Sequence, residues 1–426
     1  MITVVVVFFV LLVIRMPLAF AVGIAGASYF IGSEFLPLTV AVQRIASASQ
    51  SFPLLALPFF ILAGQLMNIS GITSHLIRFS QLLVSWISGG LAHVSIVLSA
   101  MMGGVSGSAV ADASMQARVL GPAMIDSGLS KGFTSASIAV GALITATIPP
   151  SIGLILYGFM GNVSIGKLFI AGLIPGVLMT LVLMAAVYIV ARRRGIGAQT
   201  SQKPSGKAIL KGLLDAKWAV LFPVLLIVTI RWGIFTPSEA GAFAVIYALG
   251  VGHFAYRNLT LDKIFQALKK SVNDIGMIML IILFANIVAY AIAFEQLPQT
   301  MTQALVATTE SPTLMLLMIL AFLTLMGMFM EATVIVLLLT PILVPIVIAL
   351  GIDPVHFGIL MMIVVTLGGM TPPVGVAMYA VCGILKCPTE RYVVESIPLI
   401  AAVLLLVLFL ALFPSVVLFL PNGLMP

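Results

Sequence analysis

Apolar residues run through this chain in long unbroken blocks. Stretches 168–191, 275–294, 332–352, 354–385 and 396–426 contain no Asp, Glu, Lys or Arg. Each can cross a hydrocarbon core, which takes about 20 apolar residues as a helix. In lipid the backbone satisfies itself only as helices or as a closed barrel, and continuous apolarity excludes the alternation of barrel strands. The pattern predicts an all-α polytopic membrane protein. The opening stretch Ile2–Ile14 resembles a signal sequence, but it has no basic lead-in and Arg15-Met16-Pro17 replaces a small-residue cleavage site. Apolar sequence then resumes to Ile31, so a retained first transmembrane segment is expected.

Two kinds of segment break the apolar blocks, and each occurs once in either half. The first half has Gly103-Gly104-Val105-Ser106-Gly107-Ser108-Ala109-Val110-Ala111-Asp112, then Thr147-Ile148-Pro149-Pro150-Ser151-Ile152-Gly153. The second has Gly327-Met328-Phe329-Met330-Glu331-Ala332-Thr333, then Gly368-Gly369-Met370-Thr371-Pro372-Pro373-Val374-Gly375. Gly104 to Pro149 is 45 positions, as is Gly327 to Pro372. Between them lie Leu120-Gly121-Pro122 in one half and Leu339-Thr340-Pro341 in the other, followed by turn residues at Gly128 and Gly351. An internal structural repeat is expected, and paired interrupted segments of this kind place a binding site near the membrane midplane.

Composition and charge agree with this picture. Hydrophobic residues are 62% and charged residues 8% of the 426 positions, against roughly 45–50% and 25% in soluble domains. Seven of the 20 Lys and Arg fall in 192–217, which is expected to be a cytoplasmic linker between an N-terminal half, 1–191, and a C-terminal half, 218–426. Arg257, Lys263, Lys269 and Lys270 mark a second basic loop, and helices over 218–235 and 238–256 return the chain to the same side. Topology thus accounts for the +7 charge without a nucleic-acid partner. Cys382 and Cys387 read as packing residues.

The breaks carry the candidate chemistry. Each double proline removes two backbone donors, and the freed carbonyls at membrane depth need partners or a cavity. The Ser106-Gly107-Ser108 tip suits a re-entrant hairpin whose flanking arms are too short or too polar to span separately. Its hydroxyls and carbonyls are hard oxygen ligands suited to a small cation, while half-helix N-termini favour a carboxylate. Asp112 and Glu331 sit beside the tips in apolar surroundings. Asp112 can ligate a cation, take up a proton or cap a half-helix, and both carboxylates are functional candidates. Thr147, Pro149, Pro150, Ser151, Thr333, Pro372, Pro373 and Gly375 complete the set of residues at the tips and breaks.

The chain resembles the large membrane subunit of TRAP transporters, the tripartite ATP-independent periplasmic carriers. The matching text includes Phe52-Pro53-Leu54-Leu55-Ala56-Leu57-Pro58-Phe59-Phe60-Ile61-Leu62-Ala63-Gly64, the Ser106–Asp112 and Ile148–Ser151 segments, Phe235-Thr236-Pro237-Ser238-Glu239-Ala240-Gly241-Ala242, Gly351–Gly358 and Thr371–Gly375. The resemblance implies about eleven transmembrane helices and two re-entrant hairpins in two inverted repeats. It implies an elevator-type carrier in the bacterial inner membrane, with transport and scaffold domains each assembled from both halves. Implied function is Na⁺-coupled uptake of an organic acid, such as a dicarboxylate, sialic acid or 2-oxo acid. Implied partners are a separate small four-helix membrane subunit and a periplasmic substrate-binding protein. By the same resemblance, one Na⁺ site uses Ser106 and Ser108 with carbonyls of Gly327 and Met330. A second uses carbonyls of Gly368 and Val374 with Thr371, and Thr145 and Thr147 are additional ligand candidates. The second tip has Glu331-Ala332-Thr333 where another Ser-Gly-Ser would have matched the first.

Three other functions compete. Gly104-Val105-Ser106-Gly107 is a Gly-x-Ser-Gly string, as an intramembrane serine hydrolase would carry, but none of the four histidines looks like a paired base. A channel would not need two matched ion-site tips. A standalone Na⁺-coupled carboxylate carrier of related elevator fold is the nearest alternative, distinguished by uptake without a periplasmic protein.

Overall fold

A computed structural model describes residues 2–33, 35–198, 203–306 and 311–425, with no side chains described at 302 and 304–306. Residues 199–202 of the basic connection lie outside them. Every regular element among the described residues is helical. In chain order the first half contains α1 (Ile2–Val13), α2 (Leu18–Ile31), α3 (Leu38–Ser49), α4 (Ala56–Ile69), α5 (Ile72–Val84), α6 (Gly90–Gly103), α7 (Ala109–Val119), α8 (Gly121–Asp126), α9 (Lys131–Gly141), α10 (Leu143–Thr147), α11 (Ile152–Gly161), α12 (Ile165–Ala171) and α13 (Leu173–Arg193). The second contains α14 (Gly206–Arg231), α15 (Pro237–Gly250), α16 (Leu261–Phe294), α17 (Leu297–Val306), α18 (Pro312–Phe329), α19 (Ala332–Ala349), α20 (Pro354–Gly368), α21 (Val376–Leu385), α22 (Thr389–Leu412) and α23 (Pro414–Leu424).

Among the described residues, seven helical stretches are long and apolar enough to cross a membrane, or eight if the pair 131–147 and 152–161, bent by 45°, forms one span. Six further apolar helices, α1, α2, α6, α20, α21 and α23, have only 10–17 residues. The tips and breaks explain the shortness of α6, α20 and α21, since each ends or begins where the backbone leaves the helix.

The polar connections are more helical than their composition suggests. Ser205 accepts from the Ala208 amide at 3.2 Å and starts α14 at Gly206, so Lys207, Lys211 and Lys217 belong to a helix and not to a loop. Likewise Thr260 caps α16, which takes Lys263, Lys269 and Lys270 into its first turns. Serine and threonine caps satisfy amides that would otherwise need water, and this sets both starts ahead of the apolar runs.

The two halves pack crosswise. The first arm of each hairpin lies on the interrupted helix of its own half, α6 on α9 and α10, and α18 on α20. The second arm lies on the post-break helix of the other half, α7 on α21 and α19 on α11. This exchange places both tips and both breaks in one region. A flanking group packs α1 on α2, α15 on α4, α14 on α5, and the long α16 along α2, α3 and α4, and it joins the hairpin group where α5 lies on α6. The face of α16 that meets the hairpin group does so through α19.

Candidate functional site

At the first tip, Ser108 ends the extended turn and caps α7, its Oγ accepting from the Ala111 amide. Gly107 has φ 61°, and a Cβ there would strike the Pro150 carbonyl oxygen. The left-handed backbone and the close approach both demand glycine. The tip is thus pressed onto the first break, where Pro149-Pro150 is a cis bond and Ser151 caps α11 through the Leu154 amide while its hydroxyl donates to the Ala146 carbonyl at 2.6 Å. Thr147 donates to the Leu143 carbonyl at 3.2 Å.

The second tip repeats these relations with different residues. Glu331 caps α19. Its carboxylate accepts from the Thr333 amide at 2.8 Å and from the Thr333 hydroxyl at 2.9 Å. It therefore occupies the place that Ser108 holds in the first half. The Met328 carbonyl accepts from the Val374 and Gly375 amides at 3.2 and 3.1 Å, tying the tip to the second break, where Pro372-Pro373 is also cis. A Cβ on Gly327 would lie 3.1 Å from Gly368 Cα. Thr371 donates to the Leu367 carbonyl at 2.7 Å, and Met330 leaves the helix in extended conformation. Each tip therefore docks on the break of its own half.

Asp112 lies one turn into α7 and is 1% exposed. Its Oδ2 accepts from Ser99, Gln116 and Thr145 at 2.9, 3.0 and 2.7 Å. Gln116 also donates to Ser99 at 2.7 Å and accepts from Ser95 at 2.6 Å, and Thr145 lies 2.9 Å from the Ser99 carbonyl. This network joins α6, α7 and α10. It engages Thr145, whereas Asp112 Oδ1 and the Ser106 hydroxyl are buried with no hydrogen-bond partner among the described residues.

Both tips open onto a cavity of about 700 Å³. Its wall includes Gly107 to Val110, Ile152 and Gly153, Glu331 to Val334, and Val376 and Ala377, which are the starts of α7, α11, α19 and α21. Four helix N-termini thus converge, each with partly free amides and the positive end of its dipole. Among the described residues no Lys, Arg or His lines the cavity, and its ionisable residues are Glu331 and Asp274. The arrangement can hold an anion by backbone, and the loose hydroxyls and carbonyls at the tips can hold a small hard cation.

Chain-wide similarity decides the family. Residues 5–416 match the profile of the DctM component of the tripartite ATP-independent periplasmic transporters. The chain is a TRAP transporter large permease. It is 35% identical over 412 residues to the sialic acid TRAP transporter large permease protein SiaM of Vibrio cholerae, covering 97% of this chain and 96% of that one. It is 34% identical to the isethionate TRAP transporter permease protein DctMQ of Oleidesulfovibrio alaskensis, with 97% of this chain covering 65% of that longer protein. Among solved structures, the Alcanivorax borkumensis YdaH transporter shares the fold with a TM-score of 0.63 at 14% identity, over 88% of either chain. The TRAP permease is a transporter and not an enzyme, and a multi-pass protein of the bacterial inner membrane. The His93 ring meets the Ser88 carbonyl at 3.1 Å.

The permease cavity also has residues that sequence reasoning passed over. Thr366 lines it with a buried, unpartnered hydroxyl. Asp274 lines it from α16 and accepts from Gln65 at 3.3 Å. The signal for Asp274 was available: a lone acid opening the charge-free run 275–294. The polar partners of Asp112 offered a weaker one, since Gln116 is one turn from it on α7 but Ser95 and Ser99 meet it only once α6 and α7 are folded together.

Proposed function

We propose that this permease carries a small organic acid anion into the cell together with Na⁺. The observation that supports this most directly is the convergence of four helix N-termini, with the tips of both halves, on one cavity without a cationic side chain. A carboxylate seated there is held by amides and helix dipoles, and Na⁺ bound nearby supplies the remaining positive charge.

In this reading, the buried and unpartnered Ser106 hydroxyl belongs to the first ion site, beside the Ser108 turn and the carbonyls freed at Pro149-Pro150. Thr371, Gly368 and Val374 belong to the second, and Gly327 and Met330, which the resemblance gave to the first site, join it because their tip docks on the second break. The Asp112 network braces the first tip and does not touch the cargo. Ion binding orders the two tips and completes the anion pocket between them.

The hairpins and interrupted helices then form the moving part of an elevator built from two inverted repeats. The flanking helices α1 to α5 and α14 to α16 form its static frame. The cargo belongs to the class named for relatives of this chain, which include a C4-dicarboxylate permease of Vibrio cholerae and a 2,3-diketo-L-gulonate permease of Escherichia coli. A periplasmic binding protein delivers it, and a small membrane subunit completes the frame.

The test is uptake into proteoliposomes holding the permease and small subunit, with loaded binding protein outside. Uptake requires an inward Na⁺ gradient, and Ser106→Ala and Thr371→Ala each raise the Na⁺ concentration needed. Unchanged Na⁺ dependence in both variants overturns the ion-site assignment, and uptake by the permease alone overturns the tripartite reading.

A further inference from the structure

The cavity has two unlike walls. On one side are the tips and helix starts of the hairpin group. On the other is α16, which presents Asp274, Met277, Ile278 and Ile281. These positions follow the i, i+3, i+4, i+7 spacing of a single helix face. Asp274 is the charged member of that face and stands at one end of an otherwise apolar strip.

The two carboxylates in the cavity differ in what they already hold. Both oxygens of Glu331 accept from Thr333, and the group is spent as the cap of α19. Asp274 accepts one hydrogen bond, on Oδ2 from Gln65 at 3.3 Å, and has no other among the described residues. It is half-buried, so its second oxygen is available to the cavity. A carboxylate accepts hydrogen bonds and donates none.

We infer that Asp274 reads the end of the cargo remote from its carboxylate, and selects an acid whose far end carries hydroxyl or ammonium donors over a dicarboxylate. This rests on the proposed carriage of an organic acid anion. With the cargo carboxylate at the helix starts, its other pole meets the α16 wall. Donors there pair with Asp274. A second carboxylate there meets a like charge, with no Lys, Arg or His among the described residues that line the cavity, which is discrimination by repulsion as well as by fit. The Gln65 amide holds Asp274 from α4, so the selecting group is fixed to the flanking helices and not to the tips.

The test measures equilibrium binding of gluconate, 4-aminobutanoate and succinate to the full-length purified permease in NaCl. Wild type binds gluconate or 4-aminobutanoate about tenfold or more tighter than succinate, and Asp274→Asn lowers that ratio by about tenfold, chiefly by tightening succinate. Asp274→Ser, which removes the charge with a smaller side chain, lowers the ratio likewise and serves as the check if Asp274→Asn does not fold. Equal binding of succinate by wild type, or an unchanged ratio in Asp274→Asn, overturns the role of Asp274 while leaving the carrier reading intact. A raised Na⁺ requirement with an unchanged ratio makes Asp274 an ion ligand and also overturns the inference. Binding of none of the three acids by wild type removes the proposed small-acid cargo and the inference with it, and leaves the TRAP permease a transporter.

Discussion

Replacing Asp112 by Ala separates a structural brace from an ion ligand. In the folded chain, Asp112 Oδ2 accepts from three side chains at 2.7–3.0 Å inside a buried network. With the carboxylate gone, Thr145 can keep the Ser99 carbonyl and Gln116 can keep the Ser99 hydroxyl, at 2.9 and 2.7 Å. The Ser99 proton and one Gln116 proton then lose their acceptor. A buried donor left unmade costs about 1–3 kcal/mol, so the expected destabilisation for the two is about 2–6 kcal/mol. Asp112→Asn keeps the volume and one carbonyl acceptor, and about 1 kcal/mol is expected for it. The assay is denaturant unfolding in detergent, run in NaCl and in choline chloride. A brace predicts the same loss in both salts, because the donors are present with or without the ion. A loss confined to NaCl would falsify the brace and make Asp112 a direct ligand, and no loss in either salt would remove its structural role altogether.

Other expectations follow from the same geometry. Gly107→Ala places a methyl on the Pro150 carbonyl at φ 61°; left-handed backbone alone costs about 1–2 kcal/mol, so uptake and thermal stability should both fall, and a fully active variant would show that the tip does not seat on the break. Glu331→Gln keeps an acceptor for the Thr333 amide and should retain the folded state, with a melting temperature close to wild type, whereas Glu331→Ala leaves α19 uncapped and costs about 1 kcal/mol. Arg194 and Glu395 form an ion pair at 2.5 Å with side chains 41% and 17% exposed, so Arg194→Gln should cost no more than about 1 kcal/mol, and less at high salt, in the same unfolding assay.

Much of the fold was legible because its signals are covalent or compositional. The charge-free blocks announce helices in lipid, and the two double prolines announce breaks wherever they fall. The repeat spacing located both breaks before any packing was known. Helix starts in the polar connections were misplaced, since Ser205 and Thr260 cap helices that begin well before the apolar residues do. The capping role of Glu331 was not legible, because only the positions of the Thr333 groups distinguish a cap from a free carboxylate. The crosswise packing of α7 on α21 and of α19 on α11 was not legible, because nothing in either segment records its partner. The packing of α16 on α19 brings Asp274 to the cavity, which explains why an acid visible in the sequence was not assigned to the site.

The four helix starts around the cavity have an evolutionary consequence. Their attraction for negative charge resides in peptide units, which every amino acid except proline supplies alike. Point mutations at the cavity can therefore reshape, narrow or re-polarise it, yet scarcely touch its preference for an anion. Divergence within such a permease lineage should change which acid is carried far more readily than whether an acid is carried. The face of α16, built from side chains alone, is where that drift would be written.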